Sequence, residues 1–232
     1  MKFIRRALVS AVAALALAVA PAVSAEAATG TFDVTKLSAK SLTVSNDACR
    51  NIEVDMLHKK SGVRDWDVRT EVYRSGEYIA DADYDSDGDS RRTRVEICPA
   101  DYGLGKYGLG PSIVWANNYD ADKFFKRTDY TKSSFYVRGK TYASLSSKRK
   151  GSTVTLTSST KLYNPEKYGK VNYNPKVNFQ VKSGSKWKTL KTVSAKKGKA
   201  VYKVKSKSKR YYRVTFSQVS WATGATSKSV KR

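Results

Sequence analysis

Beyond residue 28 the chain never holds apolar residues at i, i+3, i+4 and i+7 for three successive turns; short runs of alternating apolar and polar residues recur instead. A period of two puts successive side chains on opposite faces of an extended strand. In the first half, Leu42/Val44, Ile52/Val54/Met56, Trp66/Val68/Thr70/Val72 and Thr93/Val95/Ile97 each share one face of a predicted strand, and Ser75-Gly76 and Asp87-Gly88 mark turns. In the second half, Val154/Leu156, Val177/Phe179/Val181, Ala200/Tyr202/Val204 and Tyr212/Val214/Phe216 do the same. The pattern predicts an all-β protein, two tandem Ig-like β-sandwich domains of about 100 residues each.

The amino terminus reads differently. Lys2, Arg5 and Arg6 precede an apolar run from Ala7 to Ala20, followed by Pro21 and small residues ending at Ala25, Ala27 or Ala28. This order predicts a cleaved secretory signal peptide over residues 1–28, too short in its apolar part for the ~20 residues of a membrane span. The mature chain is therefore expected outside the cell, free or held non-covalently at the surface, with no transmembrane segment.

Charge divides the remainder. Residues 31–129 hold 15 Lys or Arg against 18 Asp or Glu, whereas residues 130–232 hold 26 against the single acid Glu166. The formal net charge of +24 thus belongs to one half. Such a break predicts two units, 29–139 and 140–232, with the seam at Gly139-Lys140.

From Lys150 onward the residues follow a recognisable order: Lys-Gly before a Thr/Val strand, a strand from Val177 to Lys182, Trp187 before Thr189-Leu190, then Tyr211-Tyr212-Arg213-Val214. Over roughly 80 residues this resembles the Ig-like or fibronectin-III-like repeats of bacterial secreted and cell-wall proteins. The resemblance implies a β-sandwich in an extracellular spacer or binder, Trp187 as a core aromatic, and Arg213 on the strand leading into the last turn. It names no ligand.

Cys49 and Cys98 are the two cysteines, and in an exported chain they are expected to pair. Closing a loop of about 50 residues restricts the unfolded chain by roughly 4 kcal/mol. Trp66 lies between them as in an immunoglobulin core, but Glu96 stands where a tyrosine corner places Tyr.

Asp83, Asp85, Asp87 and Gly88 satisfy the first half of a calcium loop, with Asp89 a further oxygen ligand. Arg94 stands where a bidentate acid completes such a loop, so the alternative is a solvated acidic hairpin tip. Tyr102-Gly103-Leu104-Gly105 and Tyr107-Gly108-Leu109-Gly110 contain a GxGxxG spacing, but this neither follows a parallel strand nor opens a helix, and predicts a Tyr-bearing surface loop.

No GxSxG, HExxH or Cys-His arrangement occurs, and His58, the one histidine, is expected as a surface residue at a strand end. Carboxylate chemistry is the enzymatic alternative, through Asp65, Asp67, Glu71, Glu77 and Glu96. The chain is otherwise read as a non-enzyme without a required cofactor. Lys182, Lys203, Lys205, Lys207 and Arg213 fall on the outward parity of strands whose inward residues are Phe179, Tyr202 and Val204, an arrangement expected to align positive charge along one sheet. Such a face attracts polyanions: an anionic cell-wall polymer, acidic polysaccharide or other extracellular polyanion. With 21 Lys to 5 Arg in residues 130–232, sequence-specific reading of nucleic acid is disfavoured. The competing reading is a lysine coat that keeps the sandwich soluble and its edges unpaired. A calcium-binding surface protein and a carboxylate-dependent extracellular hydrolase are the alternatives.

Overall fold

The alternating runs form strands whose buried positions match the inward parity. In the computed structural model, which describes residues 30–88, 91–118 and 124–232, Ile52, Val54 and Met56 are buried, as are Trp66, Val68, Thr70 and Val72. The signal-peptide residues 1–28 and Asp89 lie outside the described residues.

Among the described residues, nine strands make two sheets from residues 31–139. They are β1 (Thr31–Ala39), β2 (Leu42–Val44), β3 (Arg50–Ser61), β4 (Val63–Arg74), β5 (Glu77–Asp85), β6 (Arg92–Ile97), β7 (Gly105–Asn118), β8 (Phe124–Asp129) and β9 (Ser133–Gly139). One sheet has the order β1-β3-β6; the other runs β2-β9-β7-β4-β5, with β8 following β9 along the same edge of β7. Their inner faces meet where Phe32 approaches Trp66, ring centroids 4.8 Å apart, and where the Tyr84 hydroxyl donates to the Val54 carbonyl at 3.1 Å. Arg127 and Asp129 of β8 close one side, Arg127 donating to the Phe32 carbonyl and Asp33, Asp129 accepting from the Val34 amide at 2.9 Å.

A further nine strands make two sheets from residues 141–231: β10 (Thr141–Lys150), β11 (Thr153–Asn164), β12 (Gly169–Asn172), β13 (Lys176–Ser183), β14 (Lys186–Ser194), β15 (Lys199–Lys205), β16 (Tyr211–Phe216), β17 (Ala225–Thr226) and β18 (Val230–Lys231). β11 is flanked by β10 on one side and by β12 and β15 on the other; the second sheet runs β14-β13-β16 with β17 and β18 on β16. Phe179 and Tyr202 pack between the layers at 5.7 Å. The fold is all-β, a β-sandwich in each half.

Only Lys140 separates β9 from β10. The Lys140 amide donates to the Val44 carbonyl at 2.8 Å, the Gly139 amide to the Trp221 carbonyl at 3.0 Å, and the Tyr163 amide to the Lys140 carbonyl at 2.9 Å. A side chain at Gly139 would stand 2.3 Å from the Tyr163 carbonyl oxygen, so only glycine fits.

The glycine-rich repeat is not the surface loop its composition suggests. A single helical turn, α1 (Pro99–Tyr102), precedes β7, in which Tyr107 and Leu109 are fully buried. A Cβ at Gly108 would stand 2.1 Å from the Tyr73 ring, so the glycine makes room for an aromatic side chain on the neighbouring strand.

Candidate functional site

The outer face of the β10-β11-β15 sheet takes its character from the Thr/Ser/Lys positions that alternate with its core residues. In β11, Val154, Leu156, Ser158 and Thr160 point inward, leaving Thr153, Thr155, Thr157 and Ser159 outside. Strand register aligns Lys148, Thr155 and Lys203 in one row and Lys150, Thr153 and Lys205 in the next. Strand spacing sets these four lysines at the corners of a rectangle about 7 by 10 Å, with two threonine hydroxyls along its midline. Lys161, Lys170 and Lys199 extend the same face; Lys170 lies 4.2 Å from the Tyr142 ring centroid. No acidic residue lies on any strand of this sheet.

The five basic residues expected together are divided. Lys203 and Lys205 occupy this face, and Lys207 follows β15 in the connection to β16. Lys182 and Arg213 belong to the opposite sheet, on β13 and β16. Alternation reports which face of a strand is outward; it does not report which sheet the strand joins, and β15 pairs with β11.

Arg213 is also engaged. Its guanidinium lies 4.2 Å from the Trp187 ring centroid, and its Nε donates to the Gln180 side-chain oxygen at 2.8 Å, so it spans three strands of its sheet. Trp187 is accordingly not a core aromatic: paired with Lys182, it lies half-buried on the outer face. Arg149, inward at the end of β10, donates to the Ser206 and Ser208 carbonyls and ties down the segment bearing Lys207.

In the first half, Asp83 and Asp85 lie on β5 and Asp87 in the turn after it, so the acidic run is strand and hairpin tip. The Asp85 Oδ1 accepts from the amides of Asp87 at 2.9 Å and Gly88 at 2.5 Å, while Asp83 pairs with Arg69 at 3.2 Å. Alternate strand residues stand side by side, whereas a calcium loop curls its ligands inward. Among the described residues, the one group of three or more acidic, Cys or His ligand atoms gathered within 4.8 Å is Cys49, Glu96 and Cys98. Its two sulfurs are joined in the Cys49–Cys98 disulfide. The bridge flanks the Arg50↔Ile97 end of the β3-β6 pair; it staples neighbouring strands of one sheet, unlike the inter-sheet bridge of an immunoglobulin domain.

Nor do the candidate hydrolytic acids converge as a set. Asp65, Asp67 and Glu71 are on β4, Glu77 opens β5, and Glu96 is on β6 in the other sheet. His58 is half-buried, stacked on Phe32 at 4.7 Å and against Trp66 at 4.8 Å, because its strand runs on past the point where polar residues begin. Its pKa is lowered by burial first, then by Lys60 and Arg91. Burial likewise pushes Tyr107 up to about 12, partly offset by Arg74, and raises Tyr84 further.

No family model and no curated protein matches the chain. Among solved structures, it is similar to the fibronectin(III)-like modules of Clostridium thermocellum CbhA, at 10% identity and a TM-score of 0.33 over 84% of this chain and 91% of that one. It is also similar to the D00-D0 domain of intimin, at 14% identity and 0.28 over 87% and 98%, and to the human OSCAR ligand-binding domain, at 12% and 0.26 over 84% and 95%. Among the described residues no helix is long and apolar enough to cross a membrane.

Proposed function

We propose that the chain is an exported, non-enzymatic protein of two tandem β-sandwich units, 29–139 and 140–232, whose second unit binds extracellular polyanions. One observation carries the reading: seven lysines share the outer face of the β10-β11-β15 sheet with serine and threonine hydroxyls and no acid. Lysine ammonium groups attract phosphate, sulfate or carboxylate polymers without reading their sequence, and the hydroxyls supply short hydrogen bonds between the charges. The disulfide fits an oxidising compartment, where anionic wall polymers and acidic polysaccharides are the available partners.

Replacing Lys148, Lys150, Lys203 and Lys205 by Gln removes four charges from this face. With single-stranded DNA as the phosphate-polymer probe, each withdrawn contact is expected to lower the salt slope of binding by about 0.7, close to 3 for the set. Replacing Lys182, Lys186, Lys188 and Lys191 by Gln removes the same charge from the opposite sheet and is expected to change the slope little. Equal losses from both sets would reduce binding to net charge and reject the face.

A further inference from the structure

The outer face of the β4-β5-β7-β8 sheet carries a second feature, independent of the lysine face. Register places Asp85, Asp67, Trp115 and Lys126 in one row across four strands. The neighbouring row begins Asp83, Arg69, Ile113. Phe124, at the start of β8 and paired with Asn117 on the other side of the Trp115 row, is 60% exposed. Between the aromatic rings and the carboxylates of β4 and β5 runs a groove of about 410 Å³, lined by Asp67, Arg69, Asp83, Asp85, Trp115 and Phe124. It continues into a smaller recess of about 150 Å³ beside Asp65 and Asn117. Small-molecule sites of roughly 300–1,000 Å³ commonly combine such an apolar wall with a few convergent polar groups.

The side chains narrow the ligand class. Arg69 and Lys126 already flank Trp115, 5.7 and 5.2 Å from its ring centroid, so a cation arriving at the ring would meet two like charges. An anion would face Asp67, Asp83 and Asp85, of which Arg69 pairs only with Asp83; its second, longer pair is with Asp81. A purely apolar ligand would strip water from Asp67, which makes no side-chain hydrogen bond or ion pair among the described residues, without replacing it. What remains is a neutral molecule with an apolar face and a rim of hydroxyls.

We infer that this groove binds a neutral saccharide. The C–H face of a sugar ring packs on Trp115 and Phe124, its hydroxyls donate to Asp67 and the free oxygen of Asp85, and its hydroxyl oxygens accept from Arg69 and Lys126. These contacts are short-ranged and uncharged on the ligand side, so binding is insensitive to salt, unlike polyanion binding at the lysine face.

The full chain should be titrated with hexamers of β-1,4-glucan, β-1,4-linked N-acetylglucosamine and α-1,6-mannan, following tryptophan fluorescence and heat. Binding of at least one hexamer, unchanged between 50 and 300 mM NaCl, is the expected result. Trp115→Ala and Asp67→Asn should each weaken it at least tenfold while DNA binding stays as in the parent, and Asp67→Asn should also leave the melting temperature unchanged. Asp67→Asn alters only an exposed carboxylate, so its loss of binding is not a folding defect. Failure of all three hexamers overturns the inference, as does tighter, Trp115-dependent binding of pentalysine, which would make the groove a cation site. Neither outcome bears on the lysine face.

Discussion

Among the described residues between Asp33 and Asp129, eight ion pairs join aspartates and Glu53 to Arg64, Arg69, Arg92, Arg94 and Arg127. Residues 140–232 contain none, and their cations lie over tyrosine and tryptophan rings, hydrogen-bond to carbonyls or face solvent. The first half also carries the disulfide; the second relies on its core and on hydroxyl bonds such as Thr160 to the Tyr173 carbonyl at 2.6 Å. Exposed ion pairs are worth little individually, so the first half's charges contribute mainly by cancelling one another. The second half folds against its own repulsion. Its lysines are therefore unexplained by stability, which is the physical reason to look for a partner.

The largest effect that sharpens this contrast comes from removing the covalent link. Replacing Cys49 and Cys98 by Ser opens a loop spanning 49 residues and is expected to cost about 4 kcal/mol. Hydrogen exchange should show the loss at Val54 and Val95, with Leu156 and Val214 unchanged. An equal loss of protection in both halves would mean that the Gly139-Lys140 junction makes them one cooperative unit.

A buried hydroxyl pair in the first half gives the next effect. Thr70 and Ser112, both fully buried on β4 and β7, lie 2.8 Å apart. Thr70→Val leaves the Ser112 hydroxyl without its partner and should cost about 1–3 kcal/mol in urea unfolding, whereas adding Ser112→Ala should recover most of it. If the double variant loses as much as both single variants together, the pair is not an interacting unit.

How much of this was legible follows from what alternation encodes. Ile52, Val54, Trp66, Val177, Phe179 and Val214 are buried where a period of two places them, because each faces a core. Sheet membership is a long-range matter: nothing local to Lys203 states that β15 pairs with β11, so the lysine face needed the register to appear. Lys161 did carry a signal, since it follows the outward parity of the strand whose inward Val154 and Leu156 were legible, whereas Lys148 and Lys150 lie on β10, where no alternating apolar run stands out. Trp115 carried none, and Asp67 stood out only as one of several candidate hydrolytic acids, for the groove exists only where β4, β5, β7 and β8 lie side by side. Gly108 misled for a related reason: glycine density reads as a loop until a neighbouring ring such as that of Tyr73 explains it.

His58 breaks the first half's symmetry with pH. Its folded pKa lies below the unfolded value of 6.5, so the unfolded chain binds more protons in that interval. The contribution is complete above pH 6.5 and is lost as pH falls through the lower folded value. Urea midpoints of the first half should decline between pH 7 and 5, and His58→Phe, which keeps the stack on Phe32 and Trp66, should flatten that decline. An unchanged slope would assign it to other groups.

Salt produces the smallest effect and tests the contrast most directly. Two lysines about 10 Å apart across β11 repel by about 0.4 kcal/mol in water, and a Debye length near 10 Å at 0.1 M removes a large part of that. Several such pairs on one face should raise the second half's stability by about 0.5–1 kcal/mol between 20 and 200 mM NaCl, read from exchange at Leu156 and Val204. The first half should stay level or fall, because the same screening weakens its attractive pairs. If both halves respond alike, the lysines are too well hydrated to strain the sheet, and their clustering is no longer a cost that a polyanion relieves.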